Sequence, residues 1–420
     1  MSPMFEFGRD LRKLFEKARE SDDLGWLELI SADLVEAEAG RESVDAGRVS
    51  CARPFDAAMR ASTLWREHAH RAGRRSSLDR AARAASDAAR LATTVEQTAA
   101  VAIEAGEIHL LKFDLFGGPE ALTAALSDSE CRQGERPVTR ALAASLHARL
   151  RARRSRLSGD AAGMLDAAAL LDAAIHDTRS LPSMVGDVLR LDRAALALEA
   201  GVTRRDPRLL DQAGRDLRAL VEASSPDQRP LTRARALALA GTGLKALARL
   251  ANDDVAMAQG RALFDAAADQ FTPDHSPLDW ATIQLARGDD ETPLMTLAQV
   301  ESLTREPGLL LGALARERRQ AAEIALAEAM ADVEGLKGMH ALMVRRLSVA
   351  STQPLDWAAD QIILARIAMA VARLSTTPAK AVGLMLAEAV ETAREHGAPA
   401  LVERAVLAMP EQGRGSTLAA

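Results

Sequence analysis

Tyrosine is absent from this 420-residue sequence, and aromatic residues make up only 3% of it. Alanine and leucine dominate the apolar residues instead, and such side chains favour helix formation and close packing of helices. Strand-forming residues are sparse, and no long stretch alternates apolar and polar residues as a half-buried strand would. The sequence therefore predicts an all-α protein.

Long hydrophobic runs and cysteine clusters are missing as well. No apolar segment reaches the ~18 residues that a membrane span needs, and charged residues between Glu6 and Lys13 interrupt any leader-like segment. The two cysteines, Cys51 and Cys131, belong to no C-x-x-C or Cys/His cluster, which predicts reduced thiols. We therefore expect a cytoplasmic protein.

The net charge of −6 and the pI of about 5.9 argue against binding of nucleic acid by bulk charge. The charge is uneven, however. Residues 54–157 contain 17 Lys and Arg against 12 Asp and Glu, so this segment is basic and the remainder is acidic.

One eight-residue pattern, P-L-D-W-A-x-x-Q, occurs twice, at residues 277–284 and 354–361. Two of the four tryptophans occupy the same position in the two copies, which indicates an internal repeat. A proline fixes φ at a helix start, and an aspartate two residues later favours the positive end of the helix dipole. We expect Asp279 and Asp356 to be helix-start residues, and Trp280 and Trp357 to pack between neighbouring helical hairpins.

Turn residues extend this repeat along most of the chain at intervals of 30 to 48 residues. Within most intervals a second helical segment follows the first after a short polar break. The unit that begins at residue 277 is shortened, because Gly288 and two aspartates stop its first helix early. Helix starts are predicted at Pro54, Thr94, Pro137, Pro182, Pro230, Pro277, Pro307 and Pro354.

Residues 264–273, which end in Phe-Thr-Pro, followed by the pattern at 277–284, resemble the repeats of tetratricopeptide-like (TPR-like) proteins. The similarity is to a bacterial subclass with longer repeats, and the pattern at 354–361 shares it. This resemblance implies a right-handed α-solenoid of about eight helical hairpins with terminal capping helices. It also implies that first helices line a concave groove, into which Gln284 and Gln361 point, joined by Arg193 from another unit.

This organisation divides the chain into four segments. Residues 1–53 are predicted to form an N-terminal helical cap and linker, and residues 54–229 divergent hairpins that are basic over 54–157. Residues 230–409 hold the TPR-like repeats and a capping helix, and residues 410–420 are a disordered tail. The N-terminal cap carries an apolar stripe, which is expected to dock on the first hairpin, with a partner helix or a membrane surface as alternatives; the stripe comprises Met4, Phe7, Leu11, Leu14, Phe15 and Ala18.

The predicted function is that of a non-enzymatic scaffold or adaptor that holds a protein or peptide partner in the groove. No phosphate-binding loop or catalytic signature is present, and no cofactor or metal is expected. Nucleic acid is disfavoured as a partner because neither interleaved aromatics nor a recognition helix accompanies the basic charge. The sequence does not decide whether the protein forms a homo-oligomer.

A basic run supports the main alternative, a regulator that reads nucleic acid or a phosphorylated ligand through the basic N-terminal third. The competing interpretation is that these cations complement the negative end of a helix dipole. A repeat subunit of an enzyme complex is a further alternative. The candidate basic patch comprises Arg140, His147, Arg149, Arg151, Arg153, Arg154 and Arg156.

Overall fold

A computed structural model describes residues 24–129, 136–177, 183–288, 292–348, 353–375 and 381–409. Within these ranges the chain forms 18 α-helices, one 3-10 helix and no strand, so the prediction of an all-α protein is confirmed. None of these helices is long and apolar enough to cross a membrane. The predicted N-terminal stripe and C-terminal tail lie outside the described residues.

The helices follow one another with short turns. The 3-10 helix Leu24–Leu29 comes first. The α-helices are α1 (Ala32–Ala46), α2 (Pro54–Ala72), α3 (Arg75–Leu91), α4 (Val95–Phe116), α5 (Pro119–Ser129), α6 (Pro137–Leu157), α7 (Ala161–Asp177), α8 (Ser183–Arg204), α9 (Pro207–Ala223), α10 (Pro230–Ala251), α11 (Asp254–Ala268), α12 (Pro277–Arg287), α13 (Leu294–Leu303), α14 (Leu310–Ala329), α15 (Val333–Leu347), α16 (Pro354–Ser375), α17 (Val382–Glu395) and α18 (Pro399–Ala408).

Five of the predicted helix starts are confirmed at the proline itself, since α2, α6, α10, α12 and α16 each begin there. Proline suits this position because the first helical N–H groups have no intrahelical acceptor. The start predicted at Pro182 lies outside the described residues, whereas Thr94 is also confirmed as a start. Its side chain accepts a hydrogen bond from Gln97 N at 3.1 Å, while Gln97 Oε1 accepts from Thr94 N at 3.3 Å, which completes a capping box.

The predicted start at Pro307 is wrong, because a short turn follows this proline and α14 begins only at Leu310. Gly308 has a φ of +75°, a left-handed conformation that a helix cannot contain. The N–H of Gly308 donates instead to Asp356 Oδ2 on α16, at 2.8 Å. A tertiary hydrogen bond therefore holds this segment as a turn.

The short first helix predicted from residue 277 is present as α12, and its neighbours complete its carboxyl end. Such an end leaves backbone carbonyls without intrahelical donors. Lys245 of α10 donates to the carbonyls of Ala286 and Arg287, and Arg318 of α14 donates to that of Leu285. Cations from both sides thus replace the missing continuation of the helix.

The helices pack in two interleaved sets. The even-numbered helices contact one another in an unbroken series from α2 to α18. Each odd-numbered helix from α3 to α17 contacts the two even-numbered helices that flank it in sequence. Consecutive helices therefore form hairpins, and the even-numbered helices share one layer. Because α9 packs on α10 across residue 229, the proposed division there stays a prediction.

Distant hairpins also meet, since α2 contacts α12 and α4 contacts α14. We call this contact the seam: α2 and α3 on one side, α12 and the start of α14 on the other. One core cluster joins Leu64 and Leu78 with Leu278 and Leu309 across it. Gly73, with a φ of +68°, lies at its centre, where a Cβ atom would be 3.0 Å from Leu309 and 3.1 Å from Leu278.

The two repeated tryptophans pack at hairpin junctions, although both are only half-buried. Trp280 contacts two neighbouring core clusters, one with α10 and α11 and the other with α13 and α14. Trp357 contacts the core formed by α14, α16, α17 and α18. Trp280 in particular lies between hairpins, as the repeat pattern predicts.

Candidate functional site

Arginine side chains of α6 reach the even-numbered helices on both sides. Arg149 pairs with Glu107 of α4, and its Nε lies 3.2 Å from Asp192 Oδ2 on α8. Arg153 donates to both carboxylate oxygens of Asp114 on α4, at 2.6 and 3.1 Å. The same face of α6 therefore joins three consecutive even-numbered helices.

Arg156, one turn further along α6, pairs through Nε and Nη2 with the two carboxylate oxygens of Glu199 on α8. Residues 149, 153 and 156 are separated by four and three positions, which places them on one helical face. Their side chains and those of their acidic partners are 16 to 32% exposed. This face is thus charge-paired within the protein and still accessible to solvent.

Comparable contacts connect each pair of consecutive even-numbered helices in the described residues; we call them the bridging pairs. Partners are 33 to 44 residues apart in sequence, which is about one hairpin. One bridging pair for each two consecutive even-numbered helices is, in chain order, Arg66–Glu104, Arg149–Glu107, Arg156–Glu199, Arg229–Asp187, Arg235–Asp279, Arg318 with the Leu285 carbonyl, Arg316–Asp356, and Arg366 with the Arg404 carbonyl.

The repeated aspartates are members of this series. Asp279 accepts hydrogen bonds of 2.9 and 2.7 Å from Arg235, and Asp356 accepts one of 2.9 Å from Arg316. Sequence analysis gave these aspartates only a helix-start role. The missed signal is an arginine about one repeat upstream of each copy of the motif.

The two acidic partners of Arg149 differ electrostatically. Burial raises the pKa of Asp192, and the attraction of Arg149 offsets only part of this effect because Glu107 is also close. Burial acts in the same direction on Glu107, but Arg149 and Arg66 together lower its pKa below the ordinary value. Glu107 is therefore the more strongly ionised partner of Arg149.

The predicted basic patch is divided between two faces of α6. Arg149, Arg153 and Arg156 form bridging contacts, whereas Arg151 and Arg154 are exposed and make no ion pair within the described part of the chain. Arg140 is exposed and His147 is half-buried, and each has an interaction of its own. The structure thus does not gather the seven side chains on one surface.

The three predicted groove residues lie on three helices and have different surroundings. Arg193 of α8 donates to Asp172 at 2.9 Å and to Asp216 at 2.7 Å, on the odd-numbered helices α7 and α9. Gln284 of α12 is only 4% exposed, and its Oε1 accepts from Arg287 at 3.1 Å.

Gln361 of α16 is half-buried. No hydrogen bond joins any two of Gln361, Gln284 and Arg193 in the described ranges. Their role in partner binding stays a prediction.

No group of three or more His, Cys, Asp and Glu side chains in the described residues is arranged to hold a metal ion. No protein-family model matches the chain, and no curated protein matches it either.

Proposed function

We propose that this protein is a non-enzymatic scaffold or adaptor, a right-handed α-solenoid of TPR-like hairpins that holds a protein or peptide partner in a concave groove. The observation that carries the proposal is the unbroken series of contacts among the even-numbered helices. Away from the seam, where α2 and α4 meet α12 and α14, a layer of this kind displays side chains from several hairpins on one extended surface. Such a surface suits a long, extended ligand better than a small molecule.

The half-exposed bridging pairs of α4, α6 and α8 offer the partner fixed donors and acceptors. A guanidinium group has five N–H donors, so one carboxylate does not use them all. Arg153 donates through Nε and Nη2 to Asp114, and its Nη1 remains for a carbonyl or carboxylate of the partner. Because the carboxylate holds the guanidinium in place, binding would cost little side-chain entropy.

The alternative of a phosphorylated ligand is less well supported. A phosphate group at Arg149, Arg153 or Arg156 would be repelled by the carboxylates that already pair with these arginines, whereas a neutral carbonyl of a partner would not. Only Arg151 and Arg154 of that run are exposed without an ion pair in the described residues. Two exposed arginines on one helix are common in proteins and are ordinarily solvated by water. They do not by themselves indicate a phosphate-binding site.

A charge exchange tests the proposal, once affinity capture from the native host has supplied a partner. The double variant Arg153→Asp with Asp114→Arg keeps an ion pair but reverses its direction. We expect the dissociation constant to rise at least about tenfold, which corresponds to ~1.4 kcal/mol, with an unchanged unfolding midpoint. Isothermal calorimetry and thermal unfolding measure the two effects.

The matched control is the exchange Arg215→Asp with Asp211→Arg on α9, where both side chains are 61% exposed. The control should bind like the unaltered protein. Equal affinities for the test and control variants would contradict binding on α4 and α6. In that case, a loss of affinity on replacing Gln284, Gln361 and Arg193 by alanine would move the site to those three residues.

A further inference from the structure

Two leucines from the later hairpins complete the core of the early ones. The core cluster at the seam has buried members that lie between Leu27 and Phe116 in sequence, except for Leu278 of α12 and Leu309 just before α14. Leu278 is 5% exposed and Leu309 is 1% exposed. The early core is therefore closed only when α12 and the start of α14 are in place.

Polar contacts surround these leucines. Arg75 N at the start of α3 donates to Glu306 Oε1 at 3.3 Å, and Arg75 Nη2 donates to the carbonyl of Pro307 at 3.4 Å. The same guanidinium lies over the ring of Phe116, with its Cζ 4.1 Å from the ring centroid. One arginine thus connects α3, α4 and the segment before α14.

Residues 24–31, which we call the strap, make a second connection between early and late hairpins. The carboxylate of Glu28 accepts from Thr232 N at 2.9 Å, at the amino end of α10, which a negative charge stabilises. Arg71 of α2, whose side chain is completely buried, donates to two backbone carbonyls of the strap at 2.8 and 2.9 Å. The strap is therefore held between α2 and α10.

A third connection joins the turn after α4 to the turn between α17 and α18. Gly117 and Gly397 occupy these turns, with φ values of +67° and +70°. A Cβ atom on Gly117 would lie 2.5 Å from the carbonyl oxygen of His396, and one on Gly397 would lie 2.5 Å from Cζ of Phe113. The later hairpins thus lie against the early ones at three places.

These connections change how a disturbance can travel through the protein. In an open array of repeats each hairpin contacts only its neighbours, so a local loss of structure spreads one hairpin at a time and the terminal hairpins fray first. Here the hairpin formed by α2 and α3 contacts α4 on one side and α12 and the start of α14 on the other. It is first in sequence but has no open side toward the later hairpins.

We propose that the seam is a closing contact that couples distant hairpins: α2 and α3 open and close together with α12 and the start of α14, and not with the hairpins between them in sequence. The array cannot flex without withdrawing Leu278 and Leu309 from the early core. The layer of even-numbered helices therefore keeps a fixed curvature. This coupling does not depend on which partner that layer binds.

Hydrogen exchange of the full chain, measured by mass spectrometry, tests the coupling in the variant Leu309→Ala. The change lies in the late part of the chain, but it removes apolar contacts from the early core. The amides of α2 and α3 should lose at least about tenfold in protection, together with those of α12. The amides of α7, α8 and α9 should keep their protection, although a disturbance that moved along the array would have to pass through α8 to reach α2.

The matched control is Leu336→Ala on α15. Leu336 has no exposed surface and belongs to a core formed by α14, α15 and α16, away from the seam. It should lower protection in α15 and α16 and leave α2 and α3 unchanged. The reciprocal variant Leu78→Ala on α3, where the leucine is 3% exposed, should lower protection in α12 and at the start of α14.

Unchanged protection of α2 and α3 in Leu309→Ala would overturn the proposal. An equal loss in α7, α8 and α9 would overturn it too, because the disturbance would then spread through the whole chain. The same holds if the control lowers protection in α2 and α3 as much as Leu309→Ala does. If Leu309→Ala does not fold, the milder Arg75→Ala decides. It must lower protection at the start of α14 and again spare α7, α8 and α9.

Discussion

The ion pairs that join the early helices differ from those of the last hairpins in how deeply they are buried. On α4, α6 and α8 the paired side chains are 16 to 32% exposed. On α14 and α16 the carboxylates of Glu317 and Asp360 have no exposed surface at all. Glu317 accepts from Arg366 at 2.8 Å and from Arg404 at 2.5 Å.

Asp360 shows the same double pairing, with Arg316 at 3.0 Å and Arg346 at 2.6 Å. Two cations for each buried carboxylate offset the cost of removing it from water. A carboxylate that stays partly exposed keeps part of its hydration, so a single cation is enough. The same chemistry therefore has two consequences. The buried pairs fix how α14, α16 and α18 pack, whereas the pairs of the early helices remain accessible to solvent.

The largest effect should come from breaking the most buried of these pairs. Glu317→Ala leaves Arg404, which is only 8% exposed, and Arg366 without their carboxylate. We expect a loss of about 3–5 kcal/mol in the free energy of unfolding, because an uncompensated cation remains in the core. Urea unfolding followed by circular dichroism measures the loss.

The control for Glu317 is Glu328→Ala on the same helix, because Glu328 pairs with Arg373 at a site where the arginine is 59% exposed. This control should lose less than about 1 kcal/mol. Hydrogen exchange should show that the damage from Glu317→Ala begins in α16 and α18. Equal losses for the two variants would remove the distinction between buried and exposed pairs.

Much of the fold could be predicted from sequence because its signals are local. Proline at a helix start and Gly288 after α12 act within a few residues, and the structure places helix ends at both. The seam has no such signal. It depends on contacts such as Arg75 N with Glu306, which are 231 residues apart, and a repeat pattern says nothing about where an array meets itself.

The candidate site was harder to predict, for a different reason. A run of arginines on α6 suggests one patch when it is read along the chain. The helical period separates Arg151 and Arg154 from Arg149, Arg153 and Arg156, and the acidic partners lie one repeat away. Only the spacing of about one hairpin between unlike charges could have identified those partners.

A smaller effect is expected on the pH dependence of stability. The contributions of Asp279 and Asp192 to the free energy of unfolding should depend on pH in different ways. Burial alone would raise the pKa of Asp279, but Arg235 and a hydrogen bond from Ser276 lower it from 3.8 to about 2. The pair thus contributes about 2 kcal/mol above pH ~4, and this contribution is lost as the pH falls toward 2. Asp279→Asn should be destabilised by about that amount near neutral pH, with the difference shrinking below pH ~4.

Asp192→Asn is the contrasting variant, because the pKa of Asp192 is raised. Its ionised form is disfavoured in the folded protein, so removing the charge should leave stability unchanged or slightly higher above pH ~4. Urea unfolding of both variants at several pH values between about 7 and 3 makes the comparison. A similar destabilisation of both at neutral pH would mean that the Arg149–Asp192 contact is as favourable as the Arg235–Asp279 pair.

The smallest effect is expected where the comparison is made within one helix. Arg151→Gln with Arg154→Gln alters only the exposed face of α6, and we expect a change within about 0.5 kcal/mol in the free energy of unfolding. Arg153→Gln leaves Asp114 unpaired and should cost up to about 1 kcal/mol.

The same proteins should be tested for retention on heparin over a range of salt concentrations, since phosphate-like recognition weakens steeply with salt. Strong retention that disappears only in the Arg151/Arg154 double variant would favour a phosphate-reading regulator. Weak retention that is unchanged in both variants is the outcome expected for a protein-binding scaffold, whose early arginines are occupied by carboxylates of the neighbouring hairpins.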